Sequence, residues 1–477
     1  MWIMQQHNKC GGGHFRPRIA IVMSAAIVLL MMPPLAADWP TYRHDNARSG
    51  IASDPLPETL SPQWTHTPRY RPQPAWQGPA RTDGWHKSAP LKPRMIFDWA
   101  FHVVMDAERI YFGSSADDKV YCLDAASGEE RWSFFTEGPV RLAPTLADGK
   151  LYVGSDDGFV YCLDAANGAL VWKFQAAPGS YRLPGNARVM SLAPVRTGVL
   201  VDDGKAYFCS GLFSFERGQI CALDAGTGAV VWQKATNQAL QGYLLASRDQ
   251  LYAPRGRMNP AVFRREDGQL QHLLDGTGGS FAVLVDDYLF YGPGRTGQIE
   301  AARTDIGLNL VTFEGNTLVV HEGVAYMQGD TQISALDRRR YLELATQRKG
   351  LDTQREAMEK RLEDLDKAAR EQTDAQFVTD IDALVLRLEE VKRQILETEA
   401  EMGKCLLWKQ ESAYPYALIM AGDRLFAGGL DEVAAVNPSS GVVTWTAPVN
   451  GRALEIATAD GRLIVSTDEG AIHCFSE

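Results

Sequence analysis

Short runs of alternating apolar and polar residues cover most of the chain, and a clear example extends from Asp148 to Phe174. This stretch reads DGKLYVGSDDGFVYCLDAANGALVWKF, and its apolar runs of four to six residues are separated by turns that contain Gly or Asp. Alternation of this kind predicts three short antiparallel strands. A further run, RLAPTLA from Arg141 to Ala147, precedes them and predicts a fourth.

The four-strand unit recurs along the chain. The phrase YCLDAASGEERW begins at Tyr121 and returns as YCLDAANGALVW at Tyr161, 40 positions later. Four strands in about 40 residues is the size of one β-propeller blade. The repeated phrase is therefore interpreted as architecture and not as a catalytic motif.

Three residue types mark the last turn of each unit. An Asp accepts backbone N–H groups at the start of the turn, a Gly supplies positive φ, and a Trp after it packs between neighbouring sheets. His272 and Val311 fill the Trp position in weaker copies of the unit. The predicted structural positions are Asp124, Gly128, Trp132, Asp164, Gly168, Trp172, Asp224, Gly228, Trp232, Trp408, Gly441 and Trp445.

The two ends of the repeat region complete one unit. The final copy, DGRLIVSTDEGAIHCF, stops before its Trp-bearing strand, whereas SPQWTH offers Trp64 without preceding strands. We expect Trp64 to complete the last blade and close the ring. With seven copies already occupying the Trp position, the predicted fold is an all-β, eight-bladed β-propeller.

The repeats resemble a known family. YCLDAASGEERW, YCLDAANGALVW and CALDAGTGAVVW, together with the opening WPTYRHDNARSG, are similar to bacterial PQQ-like β-propellers, whose blades are locked by a tryptophan-docking motif. The resemblance covers almost everything from Trp39 onward except residues 338–403. It implies blades 1 to 6 (first part) in residues 96–337, and the end of blade 6 with blades 7 and 8 in residues 404–477.

An insertion interrupts blade 6. Asp337 and Trp408 are 71 residues apart, where complete units need eight. Residues 338–403 carry two apolar seams with alternating spacings of three and four, which predict an antiparallel coiled-coil hairpin. The seam positions are Leu351, Met358, Leu362, Leu365 and Ala369, then Phe377, Ile381, Leu384, Leu388, Val391, Ile395, Thr398 and Met402. Thr373 and Gln376 predict a capping box at the start of the second helix. The hairpin is either an arm that docks a partner protein or a solvated spacer.

Residues 38–95 are expected to hold the closing strand and a Pro-rich strap. Ser61 to Pro93 contains Trp64, Tyr70, Trp76 and Trp85 with several basic residues. A strap lying across one face of the propeller and a ligand-binding segment are both compatible with this composition.

The N-terminus has the order of a secretory signal. Basic residues precede the apolar run from Ile19 to Met32, and PPLAAD follows it. We assign residues 1–37 to a signal peptide, with a retained anchor as the alternative, and expect an exported protein of the periplasm or cell envelope. We expect no stable membrane span after cleavage. The net charge of -11 gives no basic field for nucleic acid.

Export permits disulfides, but the spacing favours free thiols. Cys122, Cys162 and Cys474 occupy one equivalent repeat position, which suggests small side chains packing between strands. Cys209 and Cys221 flank a predicted hairpin loop and could pair across it.

The sequence assigns no catalytic, cofactor-binding or metal-binding residue. The family includes quinoprotein dehydrogenases, which use PQQ above a vicinal disulfide, with calcium and a catalytic Asp; this chain has no Cys-Cys pair and no C-x-x-C-H haem site. The Asp pairs 117–118, 156–157 and 202–203 fall at predicted turns. A channel-mouth anion site remains a hypothesis, its candidate residues being His102, Arg141, Arg188 and Arg452.

We therefore expect a non-enzymatic binding or scaffold protein of the envelope. It is similar to the BamB-type outer-membrane-protein assembly factors in being a propeller without a catalytic signature. Its expected partners are envelope proteins, bound through the coiled-coil arm or a propeller face. The alternative is a divergent PQQ-dependent dehydrogenase that uses the central funnel.

Overall fold

The computed structural model describes residues 38–76 and 91–477, except for 178, 180, 186–187, 213–217, 280, 295–296 and 372–374. The predicted signal peptide (1–37), Trp85 and Thr373 therefore lie outside the described residues. No described helix is long and apolar enough to cross a membrane.

Six four-stranded antiparallel sheets follow one another along the chain, in line with the β-propeller that the repeats predict. Two short strands precede them, β1 (Ile51–Ala52) and β2 (Ser61–His66). Sheet 1 contains β3 (Val103–Met105), β4 (Arg109–Ser114), β5 (Lys119–Asp124) and β6 (Glu130–Phe135). Sheet 2 contains β7 (Thr145–Ala147), β8 (Lys150–Gly154), β9 (Phe159–Asp164) and β10 (Leu170–Gln175).

Two small additions lie between sheets 2 and 4. β11 (Arg182–Gly185) pairs with β12 (Arg188–Ser191), and β13 (Thr197–Gly198) pairs in parallel with β18 (Gly242–Tyr243). Sheet 3 contains β14 (Leu200–Asp202), β15 (Lys205–Ser210), β16 (Gly218–Asp224) and β17 (Val230–Thr236). Sheet 4 contains β19 (Leu245–Ala246), β20 (Gln250–Arg255), β21 (Met258–Arg264) and β22 (Leu270–Leu273).

The helical insertion divides sheet 6 between its third and fourth strands. Sheet 5 contains β23 (Phe281–Val285), β24 (Tyr288–Gly292), β25 (Gln298–Arg303) and β26 (Asn309–Glu314). Sheet 6 contains β27 (Thr317–His321), β28 (Val324–Gln328), β29 (Gln332–Asp337) and β30 (Leu406–Glu411), and the two helices lie in the chain between β29 and β30.

The last sheet has eight strands and uses both ends of the repeat region; we call it the composite sheet. It contains β31 (Leu418–Ala421), β32 (Arg424–Gly428), β33 (Leu430–Val436), β34 (Val443–Ala459), β35 (Arg462–Thr467) and β36 (Ile472–Ser476), with β1 and β2 at its edges. β2 pairs antiparallel with β36, so that Trp64 lies opposite Cys474. β1 pairs in parallel with β31.

Apolar side chains from facing sheets form separate clusters between the sheets. Tyr152 and Cys162 of sheet 2 pack with Phe208 and Cys221 of sheet 3, for example. All six described cysteines are buried free thiols, so Cys209 and Cys221 are not paired. Cys209 lies opposite Ile220, and Cys221 lies opposite Phe208.

The insertion forms two helices, α1 (Arg338–Glu371) and α2 (Ala375–Gly403). The Asp337 carboxylate accepts the Arg340 N–H at 3.1 Å and so caps α1. Arg348 near the start of α1 bonds Glu399 near the end of α2 at 2.8 Å, which makes the helices antiparallel. The seam residues Leu351, Leu365, Leu388, Val391, Ile395 and Thr398 are buried.

Two segments, residues 67–76 and 91–99, contact several of the sheets. We call these two segments the strap. Trp76 donates its indole N–H to Gln241, and Trp99 donates its own to the Trp76 carbonyl. Lys92 bonds Asn316 at 3.0 Å, and Arg71 bonds Glu469. The strap thus connects blade-forming sheets that are far apart in the sequence.

Candidate functional site

Residues 39–50, which we call the axial segment, contact the first strand of every four-stranded sheet. The Leu146, Ala246, Leu284 and Met420 N–H groups donate to its carbonyls, and Trp39 exchanges backbone bonds with Met105. The Asn46 amide reaches the Val201 carbonyl, and Arg43 reaches the Leu318 carbonyl, both at 2.9 Å. The first strands therefore surround this segment, which the sequence analysis did not predict.

Two buried arginines hold the axial segment in place. Arg43 also donates to the carbonyl of Leu418 at 3.1 Å, and Arg48 donates to the carbonyl of Leu244 at 3.0 Å. Arg43, His44 and Arg48 have φ of 53°, 78° and 61°, a left-handed region that costs free energy for residues with a side chain. Hydrogen bonds from charged guanidinium groups offset that cost.

A chamber of about 420 Å³ lies beside the axial segment. Tyr42 and Arg43 contribute one part of its wall, and the strap from Lys92 to Trp99 contributes another. Apolar and aromatic side chains dominate the rest, from Phe281, Pro415, Tyr416, Leu418, Leu454 and Ile456. A chamber of this size and lining is suited to a small, largely apolar ligand.

A buried His–Glu pair lies in the chamber wall. His102 Nδ1 is 2.8 Å from Glu455 Oε2, and both side chains are about nineteen-twentieths buried, at 5% and 6% exposed. The Tyr42 ring contacts the His102 ring edge-on at 5.2 Å. Neither His102 Nε2 nor Glu455 Oε1 has a described hydrogen-bond partner. Each side chain of the pair therefore keeps one polar atom that could form a further hydrogen bond.

The cations around the chamber are already engaged by groups of the protein. Lys92 lies 2.7 Å from Asp330, and Arg452 lies 2.9 Å from Asp468 while its guanidinium stacks over the Trp99 ring at 5.0 Å. A ligand anion would therefore have to compete with internal carboxylates for these groups.

A second buried charge cluster fixes the strap. Arg141 bonds Asp98 at 2.9 Å and Asp156 at 2.6 Å, and Arg196 bonds Asp156 at 2.8 Å. Burial acts against the charged form of Asp156, but Arg196 and Arg141 outweigh it and hold its pKa below the usual range. For Asp98 burial dominates, and its pKa is raised.

The four candidate channel-mouth residues do not form one site. His102 and Arg452 line the chamber, whereas Arg141 belongs to the buried cluster. Arg188 pairs with Asp118 and donates to the Ala116 carbonyl. Each of the three arginines has a carboxylate partner. The four residues therefore do not converge on one anion site, and only His102 and Arg452 line the chamber.

The repeat positions form contacts between neighbouring sheets. The Trp132 indole lies over Gly168, where an added Cβ would come within 2.5 Å of the ring, and donates to the Ala165 carbonyl at 3.2 Å. His272 takes the same place over Gly307 and contacts the Thr304 carbonyl. The corresponding indole contacts are Trp64 to Gly128, Trp172 to Gly228, Trp232 to Gly268 and Trp408 to Gly441; Trp445 donates to the Leu60 carbonyl.

The Asp positions act within their own turns. Asp124 Oδ1 accepts the N–H groups of Ala126 and Ser127, and Asp164 and Asp224 accept equivalent bonds. A hydrogen bond from Arg131 lowers the pKa of Asp124 to about 2. Across the described residues, no three His, Cys, Asp or Glu side chains come together in a way that could hold a metal ion.

Comparison with known families and structures gives matches that span the sheets. The family model described as outer membrane protein assembly factor BamB matches residues 64–201, 160–339 and 393–477, and so passes over 340–392. No curated protein matches the chain.

Solved structures share the architecture at low sequence identity. The quinohemoprotein alcohol dehydrogenase of Comamonas testosteroni is 12% identical, with a TM-score of 0.57, over 92% of this chain and 80% of that one. The computationally designed Ika8 protein is 11% identical, with a TM-score of 0.52, over 86% of this chain and all of its own. At such identities the likeness concerns the fold.

Proposed function

The chain belongs to the family described as outer membrane protein assembly factor BamB, and from that premise we propose that it is a non-enzymatic binding protein of the cell envelope. In this proposal it is exported to the periplasm, its propeller is a rigid scaffold, and the helix pair docks a partner protein. Participation in outer-membrane-protein assembly is the role that the family description suggests.

We infer eight blades from the strand pairing. The composite sheet counts as two, because β34 is 17 residues long and serves both as the outer strand of one blade and the inner strand of the next. β2 then supplies the outer strand of the last blade. Closure by the two ends of the repeat region leaves a rigid ring, which suits a scaffold.

The helix pair is the observation that carries the docking role. α1 has 34 residues, so a straight helix of that length is about 50 Å long, and we propose that it forms a coiled-coil arm with α2. Its base is fixed, because Arg338 bonds Asp286 at 2.7 Å and the Tyr341 ring packs on Phe313 at 5.3 Å. Leu386 and Leu396 are 73% and 66% exposed on α2, where they add nothing to the seam.

The chamber favours the PQQ-dependent dehydrogenase alternative less than the binding role. PQQ carries several carboxylates, and the chamber cations Lys92 and Arg452 are paired with Asp330 and Asp468 while Arg43 donates to carbonyls. Glu455 adds a carboxyl group to the wall. The described residues therefore do not fit this cofactor.

Capture of envelope proteins tests the docking role. We expect the whole chain to capture a partner that is lost when residues 340–402 are replaced by a short Gly-Ser bridge. The double variant Leu386→Glu/Leu396→Glu should lose it too, because charge then replaces the exposed apolar contact. Leu430→Glu, at a side chain 63% exposed on the composite sheet, is the matched control and should retain capture.

Two results would contradict the proposal. Identical capture by the whole and the arm-deleted chain would move binding to the faces of the sheets. Quinone absorbance after incubation with PQQ and calcium, together with alcohol-dependent dye reduction, would establish the dehydrogenase alternative. Circular dichroism of the deleted form checks that its sheets still fold.

A further inference from the structure

β26 is the outermost strand of sheet 5, and its outer edge has no strand beside it. No described residue donates to or accepts from the backbone of Asn309–Glu314 on that side, since the pairing of this strand is with β25. Such an edge presents free N–H and C=O groups that can pair with another extended chain.

The other outer strands carry features that discourage such pairing. Lysine, arginine or proline within an edge strand blocks the approach of another strand, and so does a very short length. β22 has only four residues. The remaining outer strands contain Pro62 in β2, Arg131 in β6, Lys173 in β10, Lys234 in β17, Lys409 in β30 and Pro448 in β34. Among the described outer strands of full length, β26, with the sequence NLVTFE, lacks all three residue types.

The helix pair packs on part of β26 and leaves a cleft beside the rest of the strand. Tyr341 packs on Phe313, yet a cleft of about 570 Å³ remains between the strand and the helices. Asn309–Thr312 form one wall. Tyr341, Ala345, Arg348 and Lys349 form the other, at a spacing that puts them on one face of α1, and Met402 and Glu399 of α2 complete it.

The groups that line the cleft indicate which kind of chain could bind there. A helix has no free backbone groups to offer the strand edge, whereas an extended segment can continue the sheet and place alternate side chains toward α1. Tyr341, Val311 and Met402 offer apolar contacts. Arg348 is neutralised by Glu399 and Asp352, but Lys349 has no described carboxylate within salt-bridge distance. Lys349 therefore favours an acidic side chain.

We propose that this cleft binds an extended, acidic segment of a partner protein, which adds to β26 as a fifth strand of sheet 5 and pairs a carboxylate with Lys349. The proposal rests on the docking role of the helix pair and names the place and the chemistry of the contact. It also accounts for an outer strand that, among the described outer strands of full length, lacks lysine, arginine and proline.

A defined peptide tests the cleft in the full-length protein. The probe is a ten-residue peptide of alternating valine and glutamate, compared with a valine–lysine version and with one that has proline at alternate positions. We expect the glutamate peptide to bind and to slow amide hydrogen exchange in residues 309–314. The lysine peptide loses the contact with Lys349, and the proline peptide loses the N–H groups that pair with the edge.

Two variants with a matched control localise the binding. Lys349→Glu should weaken the glutamate peptide about tenfold, and Val311→Trp, which fills the cleft, should abolish binding. Lys360→Glu reverses another exposed cation further along α1 and should leave binding unchanged. Hydrogen exchange of the free variants confirms that each remains folded.

The cleft assignment is overturned if the glutamate peptide does not bind, if Lys349→Glu and Val311→Trp bind it as the unaltered chain does, or if protection appears outside residues 309–314. Its failure is distinct from that of the docking role. If the arm-deleted chain loses its captured partner while both cleft variants retain it, the arm docks through another surface.

Discussion

The boundary between sheets 1 and 2 and the boundary between sheets 5 and 6 show two ways of joining neighbouring sheets. At the first, the Trp132 indole lies flat on Gly168 and donates to Ala165. At the second, Val311 stands in the Trp position, and the tight turn that would carry the Gly is replaced by α1 and α2. The Tyr341 ring on Phe313 supplies the contact there.

The difference shows what the last turn of a repeat can tolerate. Asp337 occupies the same repeat position as Asp124, but its carboxylate caps α1 instead of closing a turn. The strands on either side keep their pairing, because Asp337 N–H still donates to the Cys405 carbonyl at 2.8 Å. An insertion at this turn therefore removes one docking contact and leaves the sheet intact, with an open cleft beside Val311.

Truncating Trp132 and Val311 to alanine should give the largest difference in the free energy of unfolding between the two boundaries. We expect Trp132→Ala to lower the free energy of unfolding by about 3–5 kcal/mol, because it removes a large ring and its hydrogen bond. Val311→Ala, which removes two methyl groups from a half-buried site beside a cleft, should cost about 1 kcal/mol. Urea denaturation measures both, and equal losses would contradict the contrast.

Adding a single methyl group tests the flat contact itself. Gly168 and Gly149 have φ of 73° and 69°, so Gly→Ala at either site should cost about 1–2 kcal/mol from backbone conformation. A Cβ at Gly168 would lie 2.5 Å from Trp132, whereas nothing lies within 4 Å at Gly149. Gly168→Ala should therefore lose about 1–3 kcal/mol more than its control Gly149→Ala. If urea denaturation gives the same loss of unfolding free energy for both variants, the contact between Gly168 and the Trp132 indole does not contribute to stability.

His272→Trp should strengthen the boundary between sheets 4 and 5. His272 already lies over Gly307 and contacts the Thr304 carbonyl at 3.1 Å, so an indole N–H can take over that bond while burying more apolar area. We expect a gain of about 1 kcal/mol in the free energy of unfolding. A loss of stability would mean that this boundary does not accommodate a Trp.

The smallest expected effect concerns the turn at Asp124. Its pKa is lowered to about 2 by Arg131, so its contribution to stability is present above the unfolded value near 4 and is lost as the pH falls toward about 2. Asp124→Asn and Arg131→Gln should each flatten the decline in stability over that range. Unchanged acid profiles in both Asp124-turn variants would contradict the assignment.

Much of the architecture follows from local pattern. The alternation of apolar residues, the Gly–Trp spacing and the seam spacing at Leu388, Val391 and Ile395 depend on neighbours a few residues away, and such signals can be read from one sequence. The propeller of the PQQ-like family is confirmed by the family match and the sheets. The missing Trp strand was also inferable, since SPQWTH has no strands of its own.

The axial segment and the buried charges could not be found in this way. Arg43 and Arg48 resemble exposed residues in the sequence, and their partners Leu318, Leu418 and Leu244 are backbone carbonyls, which leave no trace in side-chain pattern. The sequence predicts Arg141 at a channel mouth, because spacing alone does not show that Asp98 and Asp156, 43 and 15 positions away, pair with it. Long-range pairing of charges is specified by the fold and not by spacing.

The axial segment also constrains the order in which the molecule can form. Arg43 and the Leu418 carbonyl are 375 positions apart, and contacts of such long range slow folding because a large loop must close first. Arg43 is synthesised early in translation, but its partner Leu418 is synthesised near the end, so this contact can form only when almost the whole chain is present. Until β31 exists, the Arg43 guanidinium lacks the Leu418 carbonyl that it binds in the interior, and the growing chain cannot complete its fold.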